Sequence, residues 1–167
     1  MGLMLTCDLW DHYLTGGGMD KNVDVDELLA TDEGFRIGDE NDHDKAVGVE
    51  EILQEWAAEA SAGCGTAESC SFEGDSEWRG THFTDPDGAF GIGNAEMRIT
   101  AQMDVVRSGS EQQVKARYTV ELYKDWNFDK NKSALGISLE PFAEMHEYGV
   151  AREYAMVGKS STKEDTY

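Results

Sequence analysis

The chain has 167 residues, 40% of them apolar, four tryptophans and a formal net charge of −20. That is long and apolar enough for one domain with a real core. The acidic surplus repels nucleic acid and anionic lipid, so it argues against direct nucleic-acid binding, and it attracts cations and basic partners. No run approaches the ~20 apolar residues of a membrane span.

Residues 3–15, "LMLTCDLWDHYLT", predict a short helix with Leu5, Leu9 and Tyr13 on one face. Gly16–Gly18 end it. Residues 19–45 read as acidic loop with a helical turn at "VDELLA". Residues 46–62 predict the best helix, with Val49, Leu53, Trp56 and Ala60 in one stripe and Gly63 at its end. Residues 63–76 are small and polar and read as loop. "WRGTHF" predicts a short strand, and "DPDG" at 85–88 a turn. The period then becomes two. "EMRITAQMDVV" points Met97, Ile99, Ala101, Met103 and Val105 one way. After the turn "RSGSE", "QVKARYTVELY" points Val114, Ala116, Tyr118, Val120 and Leu122 inward. This is a half-buried antiparallel hairpin. "SLEPFAEMHEYG" predicts a helix with Ser138 as N-cap and Gly149 at its end, and "REYAMVG" a last strand.

Helices first and then a meander of strands imply an α+β fold: N-terminal helices followed by a strongly curved antiparallel sheet or small β-barrel with one inserted helix. We read 1–167 as a single domain. Its parts are an acidic, helical and loop-rich stretch (1–90), an antiparallel β part (91–158) and a polar tail (159–167).

The charge is uneven. Residues 1–90 hold 22 Asp/Glu against 4 Lys/Arg, and residues 91–167 hold 12 against 10. Three readings fit the acidic half: solubility or adaptation to high salt, a surface for a basic protein partner (including a DNA-mimicking inhibitor), and divalent-cation binding. "MGLMLTCDLWDHYL" lacks a basic n-region, so no signal peptide is expected, and action outside the cell would need another export route. Cys64 and Cys70 in "CGTAESC" close a small loop in an oxidising compartment, leaving Cys7 odd; three reduced thiols are the equal alternative.

"DWNFD" places Asp125, Asn127 and Asp129 at every second position. As a calcium loop it has the right first three ligands, but Lys130 stands where Gly is needed and Gly136 where Glu is needed. As a turn, its acidic side chains cap backbone groups while Trp126 and Phe128 plug the end of a barrel. As a catalytic cluster it supplies carboxylates. His12 precedes the glycine triplet as a C-cap or as an acid/base beside a flexible loop. His146 lies four residues after Phe142 in a predicted helix. Arg152 and Glu153 form either an ion pair or an active-site pair.

The order "HYLTGGG", "FGIGNAEMRIT", a second long strand, "DWNFD", a helix and "HEYGVAREY" resembles the activity domain of colicin M-type bacteriocins and related C-terminal domains of bacterial polymorphic toxins. The resemblance covers residues 8–18 and 88–158. It implies a toxin or effector domain acting on the cell envelope. The substrate it implies is a lipid-linked peptidoglycan precursor. The family's Asp-x-Tyr-Asp pattern falls on Lys124, Trp126 and Asn127, and its His-Arg pair near Ser133 and Ala134, so its catalytic residues are not preserved. Asp125, Asp129 and His146, with Arg152 as charge stabiliser, are the candidates that remain; a divalent cation is a candidate cofactor.

Overall fold

The computed structural model describes residues 4–31, 36–37, 47–83, 86–128, 130, 133–134 and 137–167. The elements in chain order begin with α1 (Met4–Thr15), β1 (Lys21–Asn22), α2 (Val25–Thr31), β2 (Arg36–Ile37), β3 (Val47–Gly48) and α3 (Val49–Cys64). Then come β4 (Ser69–Asp75), β5 (Arg79–His82), α4 (Pro86–Gly91), β6 (Ala95–Ser108) and β7 (Glu111–Trp126). Last are β8 (Ser133–Ala134), β9 (Ile137–Ser138), α5 (Glu140–Glu147), β10 (Tyr154–Lys159) and β11 (Lys163–Thr166). The fold is α+β.

The long β6–β7 hairpin organises the sheet, from the Glu96↔Tyr123 rung to Ser108↔Glu111. The expected alternation is what pairs it: Met97, Ile99, Met103 and Val105 of β6 and Val114, Ala116, Val120 and Leu122 of β7 are all buried. Helix α3 lies over this inner face and contributes Ile52, Leu53, Ala57 and Ala60 to the same core. Each long strand carries two shorter ones in succession along its outer edge. On β6 these are β4 and β5, and on β7 they are β11 and β10.

A buried serine sits at each of these two steps. Ser76 Oγ accepts from the Ile99 N–H at 2.8 Å, and the Ser76 N–H donates to the Ile99 carbonyl at 3.0 Å. Ser160 treats Val120 in the same way, at 2.9 and 2.8 Å. Ile99 and Val120 are cross-strand partners. One rung of the hairpin is thus completed on both sides by a serine, where the flanking strands break.

Several expectations are corrected. The sheet does not close into a barrel: its path runs β1-β10-β7-β6-β5-β2-β3 and ends on two-residue strands. Helices cover the inner face that a small barrel fills with its own side chains. Nor is the sheet purely antiparallel, because β1 lies parallel to β10. Part of the 63–76 stretch, read as loop, forms β4, and residues 163–166 of the expected tail form β11. "DPDG" leads into α4 rather than a simple turn: Pro86 opens the helix, as proline does readily at a first helical position. The N-cap of α5 is Leu139, one residue beyond the expected Ser138, whose Oγ accepts from the Glu140 N–H at 3.3 Å.

Cys64 and Cys70 are joined, with Cα atoms 5.9 Å apart, tying the end of α3 to β4. Cys7 is free and exposed. No helix of the described residues is long and apolar enough to cross a membrane.

Candidate functional site

The segments that carry the resemblance lie far apart in sequence and meet at one end of the sheet. Helix α1 presents Trp10 and Tyr13. Strand β7 ends in buried Trp126 and continues to Phe128, α5 brings Phe142, and β10 begins at buried Tyr154. Their rings form one cluster. Trp10 stacks on Phe128 at 5.3 Å and meets Trp126 edge-on at 5.0 Å, while Tyr13 meets Phe128 at 4.9 Å. The polar ends of the rings are satisfied, as buried hydroxyls and indoles require. Tyr13 donates to the Phe142 carbonyl at 2.7 Å, Tyr154 to Leu9 at 2.9 Å, and Trp126 Nε1 to Gly91 at 3.0 Å. Trp126 and Phe128 therefore seal an end of the core, as the turn reading of "DWNFD" expects, but of an open sheet, and Asp125 bonds the Tyr123 hydroxyl rather than capping a backbone group.

At the surface of this cluster lies a polar pair. The Glu153 backbone N–H donates to His146 Nδ1 at 3.2 Å, and the Phe128 N–H donates to Glu153 Oε1 at 3.1 Å. Glu153 Oε2 lies 3.8 Å from His146 Nε2, with both side chains about one-third exposed. With Nδ1 occupied as an acceptor, a neutral His146 carries its proton on Nε2. The pair therefore offers solvent a fixed N–H donor beside a carboxylate oxygen. Tyr13 lies beneath them: burial, and then the Glu153 charge, push its phenol above the ordinary range.

Residues 13–18 and 149–153 run alongside each other. The Arg152 N–H donates to the Tyr13 carbonyl at 3.0 Å. A methyl group on Gly18 would lie 3.4 Å from Arg152 Cβ and from the Glu153 carbonyl, and Gly18 has φ +83°. Glycine is what allows this approach and this backbone angle. The Arg152 side chain is exposed. His12 takes a structural part: Nε2 donates to the Met19 carbonyl at 2.7 Å and its ring packs edge-on against Tyr154 at 4.6 Å.

The candidates divide accordingly. His146 is brought to Glu153, while Arg152, the preceding residue, packs its Cβ beside Gly18 and is not brought into contact with His146. Asp125 does not join them. It is exposed and accepts from the Tyr123 hydroxyl at 2.7 Å. Strand alternation turns it away from Trp126, whose ring packs with Phe128 toward α5. Asp129 lies outside the described residues. Lys130 pairs with Glu147 of α5 at 2.8 Å. Lys124, which stands at the family's first Asp, points inward and donates to the Asn94 carbonyl at 2.6 Å; burial lowers its pKa. Glu153 is paired not with Arg152 but with a backbone N–H and His146. The first of these contacts leaves no trace in a side-chain pattern. No group of three or more metal-type ligands gathers among the described residues.

Neither a protein-family model nor a curated protein sequence matches this chain.

Proposed function

We propose that this chain is a small toxin- or effector-like domain of the colicin M-like kind, acting on the bacterial envelope through a rearranged site at His146, Arg152 and Glu153. One observation carries the reading. "HYLTGGG", "WNFD" and "HEYGVAREY", the three segments of the resemblance, converge on one aromatic cluster whose surface holds a donor and a carboxylate. Phosphoester cleavage needs a base for the attacking water and donors for the charge that develops. Glu153 Oε2 serves as the base and His146 Nε2–H as the donor, and exposed Arg152, next to Glu153 in sequence, is the candidate cation.

The direct test is incubation of the purified chain with the lipid-linked peptidoglycan precursor, following release of its water-soluble headgroup. Release lost in Glu153→Gln supports the proposal. An intact precursor after prolonged incubation, with and without added divalent cation, refutes it.

A second reading has an observation of its own. Glu51, Glu55 and Glu59 recur every four residues on the exposed side of α3, a helix with no basic residue. This stripe fits an acidic, non-enzymatic protein that occupies a basic partner surface. A basic partner captured at low salt and lost near 0.5 M supports it, since charges there are screened over about 4–5 Å.

A further inference from the structure

No described helix covers the outer face of the sheet, away from α3, and this face is not a plain solvated surface. Trp78 and Tyr123 stand exposed at one end, 42% and 36% accessible, with ring centroids 6.4 Å apart. The Tyr123 hydroxyl is held by Asp125, which gives that carboxylate a role in fixing the ring. Further along the hairpin is a groove of about 460 Å³. Its floor is the Thr100↔Thr119 and Gln102↔Arg117 rungs, and Glu73, Asp75 and Thr162 stand at its sides. From Tyr123 to Arg117 the face extends about 20 Å, six residues at ~3.4 Å each.

We propose that this face binds the uncharged sugar chain of a polysaccharide, the rings stacking on Trp78 and Tyr123 and the hydroxyls bonding along the groove. Three features choose this occupant. First, three basic groups here are spent on carboxylates. Arg98 Nε donates to Asp75 at 2.9 Å with a second bond from Nη2, Arg117 reaches Asp104 at 3.1 Å, and Lys159 reaches Glu121 at 2.6 Å. None of these three cations is left free to hold a polyanion, and Glu73 and Glu96 add further carboxylates to the face. Second, backbone groups of β6 and β7 here are paired on both sides, by each other and by β4 and β11. An extended peptide could add only at the outer edges of β4 and β11, not along the groove floor. Third, what remains is side-chain chemistry: hydroxyls, an amide, and guanidinium and carboxylate groups held in place by their pairs. Convergent polar groups beside exposed ring faces are what a polyhydroxylated ring with one apolar side requires. Thr100 and Thr119 already meet at 3.1 Å, a hydroxyl pair that can turn toward a ligand.

The inference does not depend on the site at His146 and Glu153, which faces the other side of the sheet. Its test uses the full chain, insoluble chitin and cellulose for retention, and calorimetric titration with chitotetraose, cellotetraose and maltotetraose. The expected result is retention on one of the solids or saturable binding of one tetrasaccharide, weakened about tenfold or more by Trp78→Ala/Tyr123→Ala. If that double variant fails to fold, Gln102→Ala/Thr119→Ala reads the polar half of the face and is expected to weaken binding likewise. The proposal is overturned by no retention and no heat of binding with any of these probes. It is equally overturned by binding that survives the substitutions, or by self-association of the chain through this face in place of sugar binding.

Discussion

The Phe128 backbone N–H donates to the Glu153 carboxylate across 3.1 Å. This bond joins the end of β7 to the start of β10. It leaves Glu153 Oε2 turned toward His146 Nε2 at 3.8 Å. Since the Glu153 N–H occupies Nδ1, neutral His146 is expected as the Nε2–H tautomer. Long-range proton–nitrogen correlation spectra should show that form; a dominant Nδ1–H form would remove the donor on which the proposed chemistry relies.

The aromatic cluster is the foundation of that site. Trp126 is 6% exposed and packs against Trp10, Tyr13, Phe128 and Tyr154. Trp126→Ala should cost about 3–5 kcal/mol in denaturant unfolding, the usual range for emptying so large a buried volume. Trp126→Phe keeps most of the packing but strands the Gly91 carbonyl, and should cost about 1–3 kcal/mol.

Ser76 and Ser160 should behave as a matched pair. Each alanine variant leaves a buried N–H, of Ile99 or of Val120, without its side-chain acceptor. A loss of about 1–3 kcal/mol is expected from either change. Equal stability of wild type and both variants would show that these bonds do not matter to the hairpin.

Asp87 couples α1 to α4. Its carboxylate accepts from the N–H groups of Leu5 and Thr6, each at 2.8 Å, and from the Thr6 hydroxyl at 2.7 Å, capping the start of α1. Burial acts to raise its pKa, but the bonds from Thr6 and Leu5 outweigh it and hold the group below the ordinary range. A depressed folded-state pKa means stability that is fully present above the unfolded value, about 3.9, and is lost as pH falls through the folded one. Acid unfolding should therefore respond to Asp87→Asn: the variant is less stable at neutral pH, and the difference shrinks below about pH 4. A difference independent of pH would contradict the cap.

The Cys64–Cys70 link closes a short loop between α3 and β4. Its reduction should lower stability by about 2 kcal/mol, the loop-entropy value for a ring of this size. Unfolding curves with and without reductant measure it, and coincident curves would contradict a formed bond.

Sequence periodicity revealed the centre of this fold and not its margins. The β6–β7 hairpin was legible because apolar residues alternate along both strands. Strand β4 was not, because "SCSFEGD" offers only Cys70 and Phe72 to the core; at Gly74 the Trp56 ring fills the place of a side chain. Strand β11, "KEDT", has no apolar residue and is held by pairing to β7. At the site, His146 and Arg152 were legible as residue types in a motif. The separation of Asp125 was also within reach, since a residue next to inward Trp126 must face outward. The Phe128–Glu153 bond was not, because a backbone donor carries no sequence signature.

The measurement that tests the central claim most directly is bacterial growth after induction with and without a periplasmic export signal. It compares wild type with His146→Ala, Glu153→Gln and Asp125→Ala. The account predicts lysis only on export, abolished by the His146 and Glu153 changes and retained in Asp125→Ala. Growth unaffected in both compartments, or lysis that depends on Asp125 and not on His146 or Glu153, would contradict it.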